Sequence, residues 1–167
     1  MFQLRKSLIP GLLALAAAAV AAAPALADEA DCAAIIKASK AKLSAPAFHD
    51  KMFADATAKT PHGEFIKIGE QAWMKAGKEW MPVPPAMLKN MQNFDPEGSG
   101  MHNCKSLGTL GIVPAKIYGW DLKVDGKVYS GSKVTVAADG LPTKTETGDG
   151  AYIVTTYNGV TAPKGVQ

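Results

Sequence analysis

Residues 115–157 read AKIYGWDLKV DG KVYSGSKVTVAA DG LPTKTETG DG AYIVTTY, and this stretch decides the fold. Each Asp-Gly pair, Asp125-Gly126, Asp139-Gly140 and Asp149-Gly150, is a two-residue hairpin signal between runs of strand-forming residues. The expectation is a four-strand meander: Ala115 to Val124, Lys127 to Ala138, Leu141 to Thr147 and Ala151 to Tyr157. Opposed residues of an antiparallel pair share a face, so the side chains test the registers. The first turn sets Leu122 opposite Tyr129, with Tyr118, Trp120, Leu122 and Val124 on one face. Val134 and Val136 are then out of phase with Tyr129, and one extra residue at Gly131-Ser132, a β-bulge, restores a single apolar face. Beyond it the second turn sets Lys133 opposite Glu146, Val134 opposite Thr145 and Val136 opposite Thr143. The third sets Thr145 opposite Val154. Charged pairs fall outside and valines inside, as a curved sheet with one covered face requires.

Upstream, Cys32, Ile35, Ile36 and Leu43 recur at helical steps between lysines, which predicts an amphipathic helix from Ala30 to Leu43. Asp28 and Asp31 suit its positive end, and Pro46 stops it. Short runs follow, Phe48 to Ala54, Glu64 to Ile68, Gln71 to Lys75 and Lys78 to Met81, separated by Gly and Pro turns, and they read as strands. Pro82, Pro84 and Pro85 interrupt. Ala86 to Gln92 predicts a short helix with Met87, Leu88 and Met91 on one side. Asp95 to Gly100 reads as a loop that joins two halves of one domain, since neither half buries a core alone.

The chain begins with Arg5 and Lys6, an apolar stretch from Leu8 to Val20, and Ala25-Leu26-Ala27 before Asp28. These are the three parts of a secretory signal peptide, expected to be cleaved after Ala27. Pro10, Gly11 and Pro24 and the Ala-rich core argue against a membrane anchor. No Cys stands at the cleavage site to carry a lipid, so residues 28–167 are expected as one domain free in the periplasm. Lys+Arg falls from 18 to 16 on cleavage, against 15 acidic residues, and the net charge from +3 to +1. No basic patch points to nucleic acid. In an oxidising compartment the even pair Cys32 and Cys104 reads as a disulfide that staples helix to sheet.

The helix after the export segment, the late meander and the phrase Ser132-Lys133-Val134-Thr135-Val136-Ala137-Ala138-Asp139-Gly140-Leu141-Pro142-Thr143-Lys144 together resemble the LolA-like periplasmic lipoprotein-carrier superfamily. The resemblance lies mainly over residues 116–157, and Glu64 to Ile68 followed by Trp73 looks like the paired early strands of such proteins. It implies an α+β half-barrel, in which an N-terminal helix packs on a curved, incompletely closed antiparallel sheet. It also implies an apolar ligand class.

Adaptable apolar side chains suit such a ligand, and the candidate lining residues are Trp73, Met74, Trp80, Met81, Met87, Met91, Tyr118 and Trp120. The same residues also serve as ordinary core. The segment Pro82 to Pro85 and the Met87/Met91 helix are the candidate mouth or lid. His102 beside Met101, with Met87 and Met91 four residues apart, raises Cu(I), but the spacing is irregular. No Gly-x-Ser-x-Gly elbow, P-loop or His-Glu-x-x-His is present, and neither metal nor cofactor is implied. Three functions remain. The first is a periplasmic protein that binds or chaperones a lipid or an acylated protein. The second is an envelope interaction module with a packed core and a free strand edge. The third is a cone-shaped enzyme with a base among His49, Asp50 and Asp55.

Overall fold

The computed structural model describes residues 29–92, 100–112 and 114–164. The predicted signal peptide, and all of the predicted 95–100 loop except Gly100, lie outside these residues. Helix α1 (Glu29–Ser44) carries Glu29 and Asp31 in its first turn and Lys42 in its last, each complementing the helix dipole. Strands β1 (Ala47–Phe53), β2 (Gly63–Ile68), β3 (Gln71–Ala76) and β4 (Glu79–Pro82) follow. Helix α2 (Pro85–Gln92) comes next, with Pro85 at the start, where its missing N–H costs nothing. The second half is β5 (Met101–Leu110), β6 (Ala115–Val124), β7 (Lys127–Val136), β8 (Pro142–Glu146) and β9 (Tyr152–Thr156).

All nine strands join one antiparallel sheet in the order β4-β3-β2-β1-β9-β8-β7-β6-β5. Its edges, β4 and β5, do not meet, so the curled sheet is an open half-barrel around α1, as expected. Pairing of β1 with β9 joins the halves: Asp50 lies opposite Thr155 and Met52 opposite Ile153. Two clusters fill the inner face. Ile35 and Ala38 of α1 pack with Cys104, Tyr118, Val134 and Val136. Phe48, Phe65 and Ala72 pack with Val83 and Leu88, which closes that end with α2. Leu88 and Met91 turn inward, whereas Met87 is exposed, so the predicted apolar side of α2 is split. Cys32 and Cys104 are disulfide-bonded with Cα atoms 5.2 Å apart, stapling α1 to β5. Among the described residues, no helix is long and apolar enough to cross a membrane.

The meander follows the predicted registers with two corrections. Leu122 pairs with Tyr129, Lys133 with Glu146 and Val134 with Thr145. Val136, however, lies opposite Pro142 instead of Thr143, and Thr145 opposite Ile153 instead of Val154. The cause is loop length. Asp125-Gly126 is a true two-residue turn with both φ angles positive (48° and 79°). The other two turns have three-residue loops: Ala137 N–H bonds Leu141 O and Thr147 N–H bonds Ala151 O, with Gly140 and Gly150 in the left-handed region. Each shifts the pairing by one. In the second strand pair Thr143 is the extra residue that restores register, its hydroxyl donating to Thr135 O at 3.3 Å.

Strand β5 was not foreseen. Its pairing to β6 is broken between His102 and Lys105 and again between Ser106 and Gly108, and Asn103 and Gly108 have positive φ. These irregularities erase the period-two pattern that identifies a strand in sequence.

Candidate functional site

The inner face is left uncovered at the end of the half-barrel that carries the β6–β7 hairpin. Strand β7 has ten residues and β8 five, and their pairing begins only at Lys133. The hairpin therefore projects as an arm beyond β8. The bulge sits where Trp120 and Leu122 pair with Ser132 and Tyr129, so Asp121 faces the extra residue in Ser130-Gly131. Asp121 fixes it: Gly131 N–H donates to Oδ1 at 3.1 Å, and Asn103 Nδ2 donates to Oδ2 at 2.9 Å. The Asn103 bond, then that from Gly131, holds the Asp121 carboxyl below the ordinary range.

Between this arm and the β8–β9 turn lies a groove of about 550 Å³. Leu122, Val124 and Tyr129 form its apolar side, while Ser130, Ser132, Thr147, Gly148 and Asp149 supply the polar remainder. Val124 is 42% and Tyr129 53% exposed, so neither is spent on the core. Gly148 brings the turn against the arm so closely that a Cβ there would collide with the Ser130 carbonyl oxygen. Asp149 is the one carboxylate in the lining. Its carboxyl is occupied within the turn by the Thr147 hydroxyl and Ala151 N–H, which hold it below the usual range. Such a lining takes an apolar body with a polar end; it holds no paired acid and base.

The candidate lining residues separate into four places. Tyr118 is buried in the core under α1, and Trp120 packs beside it, adjoining the groove through its partner Ser132. Met74 and Met91 pack on the Phe48 cluster, whereas Met81 and Met87 are exposed at the β4–α2 side. Trp73 and Trp80 lie on the opposite face from Met74 and Met81, because neighbouring residues of a strand point to opposite sides. The groove residues Leu122, Val124 and Tyr129 were assigned to the sheet in the sequence, not to a site. The signal for them was the surplus length of the second meander strand over the third, which leaves apolar residues without a covering strand.

The possible catalytic residues are also dispersed. Asp50 is buried on the inner face, accepting from Lys42 Nζ and Thr155 Oγ1, each at 2.7 Å. Near it, burial and then the negative charges of Asp50 and Asp139 push the Tyr157 phenol above its ordinary value. Asp55 caps a turn through Thr57 and Ala58. His49 lies on the outer face, its Nε2 2.8 Å from Glu64 Oε2. His102 Nδ1 is 2.9 Å from Gly100 O, and Cys104 is spent on the disulfide, so no thiolate remains there for copper. Among the described residues, no three His, Cys, Asp or Glu side chains gather as a metal site.

The outer face carries its own charged network. Glu64 takes Lys75 Nζ at 2.7 Å as well as His49, and Lys75 lies 5.7 Å from the centre of the Trp80 ring. Burial pushes the Glu64 carboxyl up, but the bonds from Lys75 and His49 together outweigh it and leave Glu64 below its ordinary value of 4.5. A carboxyl depressed by folding stabilises the native state above its unfolded pKa, and that stability is lost as pH falls through the folded pKa. Urea unfolding below pH 4.5 should therefore show stability declining with acid. Glu64→Gln should flatten that decline; an unchanged slope would remove Glu64 from the account.

No protein-family model matches the chain, and no curated protein matches it in sequence. Among solved structures, the fold is similar to that of the lipoprotein LppX from Mycobacterium tuberculosis. The likeness covers 84% of this chain and all of that one, at a TM-score of 0.51 and 14% identity. LprF from Mycobacterium bovis aligns over 82% of this chain and 97% of its own, at a TM-score of 0.44 and 10% identity. At 14% identity the likeness to LppX is one of fold.

Proposed function

We propose that this chain is an exported, single-domain protein of the periplasm, with residues 1–27 as its signal peptide, that binds or chaperones a lipid or an acylated protein. The observation that carries the reading is the groove at the β6–β7 arm. Its volume of about 550 Å³ falls among ligand sites. Leu122, Val124 and Tyr129 line it, and Val124 and Tyr129 are not spent on the core. The fold likeness to a lipoprotein supports an envelope setting by analogy. The disulfide supports an oxidising one.

Strand addition at an edge is less well supported. Strand β4 has four residues and ends in Pro82, and along β5 the Ser106 N–H is already taken by Asp31 Oδ2 at 2.7 Å.

The test is saturable uptake of a fluorescent fatty acid by the purified, delipidated protein, with native mass spectrometry of the undelipidated sample. The wild type should take up the probe, and Val124→Asp should weaken uptake by about tenfold or more, because a carboxylate in the groove must desolvate. Val124 is exposed enough that thermal stability should stay nearly unchanged. Absence of saturable uptake, or equal uptake by the variant, would count against a groove-binding role.

A further inference from the structure

The β5–β6 connection carries the most exposed apolar side chain among the described residues. Ile112 is fully exposed (104%), Leu110 is 59% exposed, and Leu107 stands out of the same hairpin. Leu110 pairs with Ala115 on the last rung of the ladder, so Ile112 stands in the turn beyond the sheet. One rung behind Leu110, Lys116 lies opposite Thr109, and further back Lys105 lies opposite Gly119. Both lysines are exposed, and among the described residues neither enters an ion pair.

The sequence holds no Asp or Glu between Lys105 and Asp121. Asp31 accepts from Ser106 N–H at the base of the hairpin, and Asp139, in the turn after β7, accepts from Leu141 N–H.

We propose that this hairpin tip docks the protein on an anionic phospholipid surface. Leu110 and Ile112 enter the headgroup boundary, and Lys116, with Lys105 behind it, meets the lipid phosphates. An aliphatic apex with cations set back from it matches the layering of a bilayer surface, where apolar side chains penetrate about 5–10 Å and basic ones remain among the charged headgroups. A second copy of the chain fits less well. Three aliphatic side chains offer roughly 200–300 Å², far short of the roughly 800 Å² per partner of a stable interface.

The tip and the groove occupy opposite ends of β6, Ala115 at one and Val124 at the other. At about 3.3 Å per residue they are roughly 30 Å apart, so the two readings fail independently.

The experiment is co-sedimentation of the protein without its signal peptide, residues 28–167, with phosphatidylcholine vesicles, with and without about one quarter phosphatidylglycerol. Binding should require the anionic lipid and weaken with salt. Leu110→Ser with Ile112→Ser should reduce it by about tenfold or more, and Lys116→Glu should reduce it on anionic vesicles. Val124→Asp should bind vesicles like the wild type while failing to take up the fatty acid. Four results would overturn the proposal: no vesicle binding; equal binding by the tip variant; loss of binding in Val124→Asp; or a dimer in sedimentation velocity that the tip variant dissociates.

Discussion

Replacing Cys32 and Cys104 together by Ala should lower the unfolding free energy by about 4 kcal/mol, the chain-entropy value for a loop of this length. The two residues are 72 apart in sequence, so the bridge removes much freedom from the unfolded chain. The loss should also be local. Cys104 is almost completely buried in the cluster that holds Ile35 and Tyr118, and β5 is otherwise paired only with β6, through an irregular ladder. Urea unfolding of the oxidised protein, the reduced protein and the double variant checks this. The last two should coincide, and hydrogen exchange should show β5 opening ahead of β7. A double variant as stable as the oxidised protein would show that α1 and β5 are held by packing alone.

Asp50→Ala should cost about 3 kcal/mol, the lower part of the range for breaking a buried ion pair. Its carboxylate is the partner of both Lys42 and Thr155, and removing it strands an ammonium whose side chain is only 18% exposed. Lys42 also lies 5.0 Å from the centre of the Phe48 ring, so it has little route to water without disturbing the core. The pair itself need not be stabilising. Asp50→Leu combined with Lys42→Met should recover most of the loss, because two apolar residues of similar volume avoid the desolvation of both charges. Equilibrium unfolding of the single and double variants decides it: a double variant no better than Asp50→Ala would mean that Thr155 and Asp50, not the ion pair, hold β1 to β9.

The sequence was most legible where local chemistry settles local geometry. Asp125-Gly126 specified its turn, and the phase change between Tyr129 and Val134 located the bulge to within a residue. Loop length was less legible. The residue before Asp139-Gly140 and before Asp149-Gly150 joins the loop, and nothing in an Ala or Gly at that position distinguishes strand end from turn. Strand β5 was hidden because Asn103 and Gly108 interrupt its alternation.

The site was less visible for a different reason. Size and softness drew attention to Trp and Met, yet Trp73-Met74 and Trp80-Met81 are sequence neighbours on strands and cannot share a face. What exposes Val124 and Tyr129 is not their chemistry but the shortness of β8 beside them, which depends on comparing strands across the sheet.

Helix α1 is fastened at both ends. The disulfide holds its first turns to β5, and beyond its last turn the buried Lys67 ammonium donates to Ala45 O at 2.8 Å while Lys42 binds Asp50. Such a helix is a doorpost and not a door. At the other end of β6 the absent methyl group of Gly148 lets the β8–β9 turn touch the Asp121-held arm, so one wall of the groove is set by a single backbone position.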